Sequence, residues 1–237
     1  MASFESRLEE SMRAGVVKTS REQLPAGVER WLPLWEIASV VTSCLIAEWA
    51  VFVFIGRNKL IMAIPIGLAF ALMLYSHWER GEGLRDIGLR VDNFVASCRL
   101  LFIPTALAVI LIVTFGWLTS HGDFGAPWRW RFVALPVWAL LQQYVLNGFI
   151  NRRAQMALGA GAKGIALIAI AFSILHLPSP LLALLTLGAG ITWGFVYQRA
   201  PNLYALALSH SAVSLTLALT ISPYWLNGLR VGFKYFG

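Results

Sequence analysis

Long apolar stretches separated by short polar segments run through most of this chain. About seven of them are mostly apolar and near the roughly 17 to 23 residues that an α-helix needs to cross a hydrocarbon layer of about 30 Å. They lie at about residues 32–55, 60–78, 100–119, 132–150, 164–177, 181–197 and 203–221, the fifth being the shortest. The pattern predicts an all-α fold, a polytopic transmembrane bundle of about seven helices.

The composition agrees with lipid as the solvent. Of 237 residues, 58% are hydrophobic and 13% are charged, and the mean hydropathy is +0.67. A soluble domain of this size would have difficulty burying so much apolar surface. The net charge of +7 could indicate a nucleic-acid partner, but the basic residues stand at the ends of apolar spans and form no continuous stripe. We therefore expect the lipid bilayer as partner and no nucleic acid.

The distribution of Lys and Arg predicts how the chain is oriented. With seven spans, the N-terminal segment and the loops after the second, fourth and sixth spans face one side, and this side holds most of the basic residues. The positive-inside rule then places the N-terminus in the cytoplasm, and the expected location is the cell membrane, plasma or inner. Residues 1–30 lack the apolar segment of a signal peptide, so we interpret them as a cytoplasmic arm. Residues 31–237 are predicted to form a single transmembrane domain.

Several polar side chains interrupt the apolar spans. Each unpaired polar group in hydrocarbon costs on the order of several kcal/mol, so each needs a protein partner or a wet cavity. Gln142, Gln143 and Asn147 lie in the fourth span. Gln143 and Asn147 are four residues apart and share one helical face, while Gln142 lies about 100° further round. All three can point into the bundle, where amides can either join helices structurally or form a functional site.

Two histidines and one glutamate add ionisable groups to the spans. His176 stands where the fifth span ends, just before Pro178, and an interfacial histidine is an ordinary feature there. His210 lies near the middle of the seventh span, with Ser214 one turn later on the same face. A histidine in mid-membrane indicates function by default. Glu48 in the first span, interpreted as the remaining intramembrane ionisable group, must be protonated, paired or exposed to water.

Taken in order, these residues form three short motifs. They are Gln142-Gln143-xxx-Asn147, Phe172-xxx-His176 and His210-xxx-Ser214. The arrangement resembles the CPBP family, the CAAX-processing and bacteriocin-immunity intramembrane proteases also called the Abi family, whose motifs are Glu-Glu-xxx-Arg, Phe-xxx-His and His-xxx-Asn. The segment Asp86-Ile-Gly-Leu-Arg is similar to the one that precedes the family's core. We therefore place a CPBP-like core at about residues 84–222.

The resemblance implies an intramembrane endopeptidase that acts on membrane-associated or lipidated proteins. In the family, the first Glu and the histidine of Phe-xxx-His activate a water molecule that attacks a peptide carbonyl, and the last His and Asn stabilise the oxyanion. Carried over, Gln142 has the position of the base and His176 that of its partner. His210 and Ser214 have the positions of the oxyanion site.

This chain departs from the family pattern at its carboxylates. An amide has no useful basicity, so Gln142 cannot act as a general base, and losing such a base commonly lowers a rate about 10²- to 10⁴-fold. Gln143 and Asn147 replace an acidic and a basic residue together, which avoids a stranded charge and leaves a neutral pair that can hydrogen-bond. Ser214 keeps one donor but has less reach than Asn. The motif positions are thus neutralised without an obvious defect in the fold.

Three interpretations remain open at this point. The protein is a slow endopeptidase that uses His176 or His210 as base, or Glu48 supplies the missing carboxylate. Otherwise it is a pseudoprotease that binds a membrane protein or peptide without cutting it. A component of a small transporter is a fourth hypothesis, but no broken helices recur in corresponding halves of the sequence.

No cofactor or metal is expected. The two cysteines, Cys44 and Cys98, lie far apart in the chain and do not have the spacing of metal ligands. The sequence contains no feature that predicts the oligomeric state or selects one substrate.

Overall fold

The structure, a computed structural model, describes residues 26–51, 59–119 and 133–236, and within them the chain is all-α with no strand. Seven main helices follow one another, which confirms the predicted fold class. They are α1 (Ala26–Leu45), α2 (Lys59–Glu79), α3 (Phe94–Thr119), α4 (135–158), α5 (Ala162–Ile174), α6 (Pro180–Arg199) and α7 (Leu203–Thr220). Most of the predicted N-terminal arm, up to residue 25, lies outside the described residues.

Short helical segments extend the first and last of these helices. A π-helical segment, Ile46–Val51, continues α1. After α7 come the short helix α8 (Pro223–Leu226) and two 3₁₀ segments, Asn227–Leu229 and Gly232–Phe236. The last of them packs against Ile46–Val51, so that the chain's C-terminal segment contacts the end of α1.

Many large apolar side chains point outwards. Within the described residues, four helical segments are long and apolar enough to cross a membrane, namely Trp31–Trp49, α3, α6 and α7. On α3, Phe102 and Ile103 are each more than 70% exposed. Water would disfavour such a surface, whereas hydrocarbon accepts it. Such a surface is that of an integral membrane protein.

The helices pack as interlocked pairs around α4. Helix α1 contacts α2 and the last part of α4, α3 contacts α7, and α7 contacts the first part of α4. Helices α5 and α6 approach each other very closely at Gly190 and Gly194. A Cβ atom on Gly190 would lie 2.7 Å from the Cα of Ala169, and one on Gly194 would lie 2.2 Å from Cδ1 of Ile168. Gly190 therefore permits a backbone contact that a larger residue would block, whereas a side chain at position 194 would require the end of Ile168 to move.

Three loops gather at one end of the bundle, which we call the basic end: residues 80–93, 159–161 and 200–202. The hydroxyl of Tyr197 donates to the carbonyl of Ile87 (2.9 Å), and the amide of Leu203 donates to the carbonyl of Gly88 (2.8 Å). Gly88 has φ +91° and lies against Tyr197, so a side chain there would be both strained and crowded. These loops follow α2, α4 and α6, as the predicted grouping on one side of the membrane requires.

Candidate active site

Helix α4 changes its winding halfway along. It is an α-helix over Leu135–Gln143, a π-helix over Tyr144–Asn151 and an α-helix again over Arg152–Leu158. In an α-helix each residue turns about 100° around the axis, so every fourth residue lies about 40° further round the helix than the one before it. The wider π-helical turn rotates less per residue and compensates this drift. Residues spaced by four along α4 can therefore stay in one row.

Four amide side chains occupy that row, which we call the amide row: Gln143, Asn147, Asn151 and Gln155. Nδ2 of Asn147 donates to Oε1 of Gln143 (2.7 Å), and Nδ2 of Asn151 donates to Oδ1 of Asn147 (2.9 Å). Nε2 of Gln155 donates to Oδ1 of Asn151 (3.2 Å). Gln143, Asn147 and Asn151 are fully buried. The neutral hydrogen-bonded pair predicted at 143 and 147 is confirmed, and it is part of a longer series of side-chain hydrogen bonds.

Helices α6 and α7 supply partners at both ends of the amide row. Asn151 donates to the carbonyl of Gly194 (3.2 Å) and accepts from Nε2 of Gln198 (3.0 Å). At the other end, Nε2 of Gln143 lies 3.3 Å from Nδ1 of His210. The row thus connects the mid-span histidine of α7 to the last turn of α6 at the basic end.

His210 is enclosed by aromatic rings. Its imidazole is tilted by 34° against the Trp193 ring at a centroid distance of 4.4 Å, and the edge-on ring of Phe172 is 6.1 Å away. Trp193 is itself fixed by a hydrogen bond from Nε1 to Oγ of Ser209 (3.1 Å). His210 is 7% exposed, and its Nε2 remains accessible and makes no hydrogen bond within the described residues. One ring nitrogen is therefore held and the other is free to meet a ligand.

His176 follows the end of α5, as predicted, and is half-buried. Its Nδ1 lies 2.7 Å from the carbonyl oxygen of Phe172. A carbonyl only accepts, so Nδ1 carries the proton and Nε2 of the neutral ring keeps a free lone pair. The same Phe172 ring contacts the His176 ring at 4.6 Å. The two histidines of the sequence motifs thus stand against one phenylalanine.

Gln142 and Ser214, the two remaining motif positions, are half-buried. The side chain of neither residue makes a hydrogen bond to any described part of the chain. Ser214 lies one turn beyond His210 on α7. Both polar groups are accordingly available to bind a ligand, and no protein partner among the described residues fixes their orientation.

Glu48 lies on the π-helical segment after α1, beside the C-terminal 3₁₀ segment. A Cβ atom on Gly232 would be 2.8 Å from the Cβ of Glu48, and the amide of Gly232 donates to the carbonyl of Leu177 (2.8 Å). Glu48 is thus near the residue that follows His176. Its Oε2 is buried without a hydrogen-bond partner among the described residues, and the structure shows no direct hydrogen bond between Glu48 and His176.

A second polar group, which we call the charged cluster, lies at the basic end. Its members are Glu36, Ser76, His77, Arg80, Glu82, Arg152 and Arg153. Glu36 is 8% exposed and lies in α1, so the expectation that Glu48 was the remaining ionisable group of the spans is wrong. Glu36 stands near the predicted start of the first span, where a charge is common. Its Oε1 accepts from Oγ of Ser76 and Nη1 of Arg80, both at 2.8 Å.

Glu82 of the 80–93 loop is the other anion of the charged cluster. It accepts hydrogen bonds from Nδ1 of His77 (2.6 Å), Nε of Arg152 (3.0 Å) and Nη2 of Arg153 (2.8 Å). Burial opposes its charge, but the hydrogen bonds from His77, Arg153 and Arg152 outweigh this and hold its pKa well below the ordinary value. Arg153, fully buried, also lies 3.1 Å from Oε2 of Glu36 and so joins the two anions.

Four residues of the site are not predicted by the sequence analysis. Asn151 and Gln155 extend the row by two more steps of four, a signal that is present in the sequence. Trp193 and Gln198 stand on α6, and no spacing within that helix relates them to His210 or Asn151. Among the described residues, no three or more His, Cys, Asp or Glu side chains are placed to hold a metal ion.

The fold and the site define a polytopic α-helical membrane protein with two neighbouring histidines at an apolar, aromatic centre. Residues 124–216 match the family described as Type II CAAX prenyl endopeptidase Rce1-like. The match confirms the resemblance to the CPBP proteases over that segment, which includes all three motifs but neither Glu48 nor the segment 86–90. No curated protein and no solved structure matches the chain.

Proposed function

We propose that this protein is a CPBP-type intramembrane endopeptidase that works without a carboxylate base. His176 acts as the general base, and His210 donates a hydrogen bond to the oxyanion. The observation that carries this proposal is the opposite hydrogen bonding of the two imidazoles beside Phe172. Nδ1 of His176 must donate to a carbonyl, whereas Nδ1 of His210 faces an amide NH₂ group of Gln143.

The two free Nε2 atoms then have complementary roles. Nε2 of His176 takes a proton from water, and the water oxygen attacks the peptide carbonyl carbon. The negative charge that develops on the carbonyl oxygen is stabilised by the Nε2 proton of His210, which needs no rearrangement to donate. The C–N bond breaks when His176 returns its proton to the leaving nitrogen. Ser214, one turn from His210, is placed to add a second donor.

The substrate class follows from the position of the site. His210 lies in the middle of an apolar helix, so a peptide bond that reaches it must belong to a membrane-associated or lipid-modified protein. We propose the cell membrane as location, with the basic end and the N-terminus in the cytoplasm, since the 80–93 loop carries arginines and the helix ends beside the other two loops carry Arg152, Arg153, Lys163 and Arg199. Reporter fusions to the N-terminus and to the 120–132 segment should fall on opposite sides.

Matched histidine variants test the proposed mechanism. In proteoliposomes with labelled transmembrane and lipidated peptides, we expect His176→Gln to lower the cleavage rate about 10²- to 10⁴-fold, because an amide cannot accept the proton. We expect His210→Ala to lower it about 10²- to 10³-fold, and His210→Gln to lower it less, because an amide NH₂ group can still donate to the oxyanion. Leu208→Ala, at a 57% exposed position of the same helix, is the control.

The relative loss in the two Gln variants distinguishes base from donor. Equal losses in His176→Gln and His210→Gln would contradict the assigned roles. Cleavage that persists in both His176→Gln and His210→Ala would rule out this site as the source of activity.

A pseudoprotease is the second candidate, and Gln142 favours it. This amide occupies the family's base position, is half-buried and makes no hydrogen bond within the described residues. A protein of this kind would bind a membrane segment at the site around His176 and His210 without hydrolysis. It predicts that crosslinking captures a transmembrane peptide and that His176→Gln leaves capture unchanged while no peptide is cut by either protein.

Glu48 provides a separate check on the base. If its carboxylate replaced the missing glutamate, Glu48→Gln would reduce cleavage as strongly as His176→Gln does. We expect a much smaller effect, because Glu48 makes no direct hydrogen bond to His176. Cleavage rates of the two variants, normalised to folded protein, decide between these bases.

A further inference from the structure

We propose that Asn151 is a positioning residue that sets the tautomer of His210 through the two amide-row residues between them, Asn147 and Gln143. The row holds His210 in the form that carries its proton on Nε2. The tautomer follows from the hydrogen bonds alone, and its use as an oxyanion donor rests on the function proposed above.

The direction of the amide row is fixed by a backbone group. The amide oxygen and nitrogen of Asn or Gln can ordinarily be exchanged by a flip, so the direction of such a chain needs an anchor. Asn151 lies 3.2 Å from the carbonyl oxygen of Gly194, and this oxygen can only accept. The atom of Asn151 that faces Gly194 is therefore its NH₂ group, and its oxygen must point the other way.

A second backbone group fixes the same direction independently. The amide N–H of Gly161 lies 2.8 Å from Oε1 of Gln198 and can only donate. Gln198 must therefore present its NH₂ group to Asn151, whose Oδ1 accepts it at 3.0 Å. Both anchors require the oxygen of Asn151 to accept hydrogen bonds and its nitrogen to donate them.

The direction then passes along α4 without a choice at any step. Asn151 donates to the oxygen of Asn147, so the NH₂ group of Asn147 donates to the oxygen of Gln143. The NH₂ group of Gln143 is left to face Nδ1 of His210. Because this group can only donate, Nδ1 must accept, and the proton of the neutral ring is on Nε2.

The close α5–α6 contact makes this anchor available. Gly194 has no side chain, and a Cβ atom there would approach Nδ2 of Asn151 to 3.8 Å while overlapping Ile168 at 2.2 Å. Asn151 thus reaches the Gly194 carbonyl at a place where the absence of a side chain also lets Ile168 of α5 pack closely on α6. All its polar atoms have protein partners, so the anchor does not depend on water.

The test reads the tautomer directly. In protein labelled with nitrogen-15 histidine and reconstituted in lipid, solid-state NMR separates protonated from unprotonated ring nitrogens, and the chain has only four histidines. His210→Gln assigns the signals of His210. We expect wild-type His210 to carry its proton on Nε2, and Asn151→Leu to reduce the ratio of the Nε2–H to the Nδ1–H form about fivefold or more, the effect of losing about one directing hydrogen bond.

Two further variants keep the test independent of folding defects. Gln155→Leu makes the same chemical change on the same helix but leaves the Gly194 and Gln198 anchors, so we expect the wild-type tautomer. Asn151→Asp is isosteric and has no NH₂ group. Its carboxylate would accept from Asn147 and reverse the row, so that Gln143 presents its oxygen and His210 carries its proton on Nδ1.

Each result decides the inference without relying on turnover. Wild-type His210 protonated on Nδ1, or an unchanged ratio in both folded Asn151 variants, overturns it. An Nε2–H tautomer that shifts in these variants supports it even if no peptide is cut, in which case only the proposed function fails. Cleavage by a protein whose His210 is protonated on Nδ1 would instead overturn the inference about the tautomer and leave the endopeptidase activity standing.

Discussion

The amide row and the charged cluster meet on helix α4, and they accommodate polar groups in an apolar surrounding in different ways. The charged cluster is at the basic end, where the 80–93 loop supplies Glu82 as counter-ion to Arg152 and Arg153. Asn151 of the amide row stands one residue before Arg152, and from it the row extends through Asn147 and Gln143 into the bundle with no charge at all. Charge is thus confined to the edge, and neutral hydrogen bonds continue inwards.

The two regions differ in what they can specify. An ion pair attracts from many orientations and chiefly holds elements together. A chain of amides has a donor end and an acceptor end, so it carries direction as well as attachment. The charged cluster joins α1, α2, α4 and the 80–93 loop, whereas the amide row determines which nitrogen of His210 is free. We therefore expect charged-cluster variants to lose stability and amide-row variants to lose function.

The largest expected effect is on stability, at Arg153. This side chain is fully buried and contacts both Glu36 and Glu82, so Arg153→Met would leave two carboxylates without a common partner. We expect a loss of about 3 to 5 kcal/mol in the free energy of unfolding. Arg85→Met, which removes an exposed partner of Asp92, is the matched control and should have little effect.

Denaturant titration of both variants in the same detergent or lipid measures this difference. Equal stability of Arg153→Met and Arg85→Met would show that the charged cluster does not hold the helices together.

The next largest effect separates two adjacent residues that receive the same substitution. Gln142→Glu adds a carboxylate at a half-buried position without hydrogen-bond partners, and we expect cleavage to rise at least about tenfold, within the range of a general base. Gln143→Glu adds one at a fully buried position facing Nδ1 of His210. The carboxylate would draw the proton to Nδ1 and abolish the donor, so we expect a fall of about 10²-fold or more.

Initial cleavage rates of the two Gln→Glu proteins, compared at equal folded concentration, test this contrast. The charge change and the helix are the same in both, so a general effect of added charge would move both rates in the same direction. That result would argue against a directed amide row.

Acid should affect the two regions differently. The pKa of Glu82 is held below its ordinary value in the folded protein, so its contribution to stability is present above the unfolded value of about 4.3 and is lost as pH falls below it. From pH 6 to pH 3 we expect the wild type to lose more stability than Glu82→Gln, which begins less stable. Asn147→Leu removes a neutral group and should show the wild-type slope with a constant offset. Unfolding free energies across this range would contradict the assignment if Glu82→Gln retained the wild-type slope.

The sequence predicted the helices and the motif positions but only part of their contacts. The apolar stretches determine seven helices, and the spacing of Gln143 and Asn147 within one helix predicts their hydrogen bond. Asn151 could have been added by the same reasoning. A periodicity of four is compatible with an ordinary α-helix, however, so the π-helical segment that keeps the row aligned has no signature in the pattern.

Contacts between distant helices could not be predicted in this way. Gln143 meets His210, 67 positions later, only because α7 packs on the first part of α4. Arg153 lies just after the fourth apolar stretch, where a basic residue indicates only topology, because the positive-inside rule uses the sign of a charge and not its partner. Its two carboxylate partners lie on α1 and the 80–93 loop, and one sequence does not reveal such pairs.

The smallest expected effect concerns Ser214, one turn beyond His210 on α7. Ser214→Asn restores the family's residue and lengthens the donor, so we expect a rise in cleavage rate of no more than about tenfold, less than a full oxyanion donor contributes. The gain should require His210 to donate from Nε2, because a second donor helps only when the first is in place. In the Gln143→Glu background, where His210 has lost that proton, the same substitution should give little gain. A double-mutant cycle of cleavage rates measures this coupling, and equal gains in both backgrounds would show that Ser214 and the amide row act on the site independently.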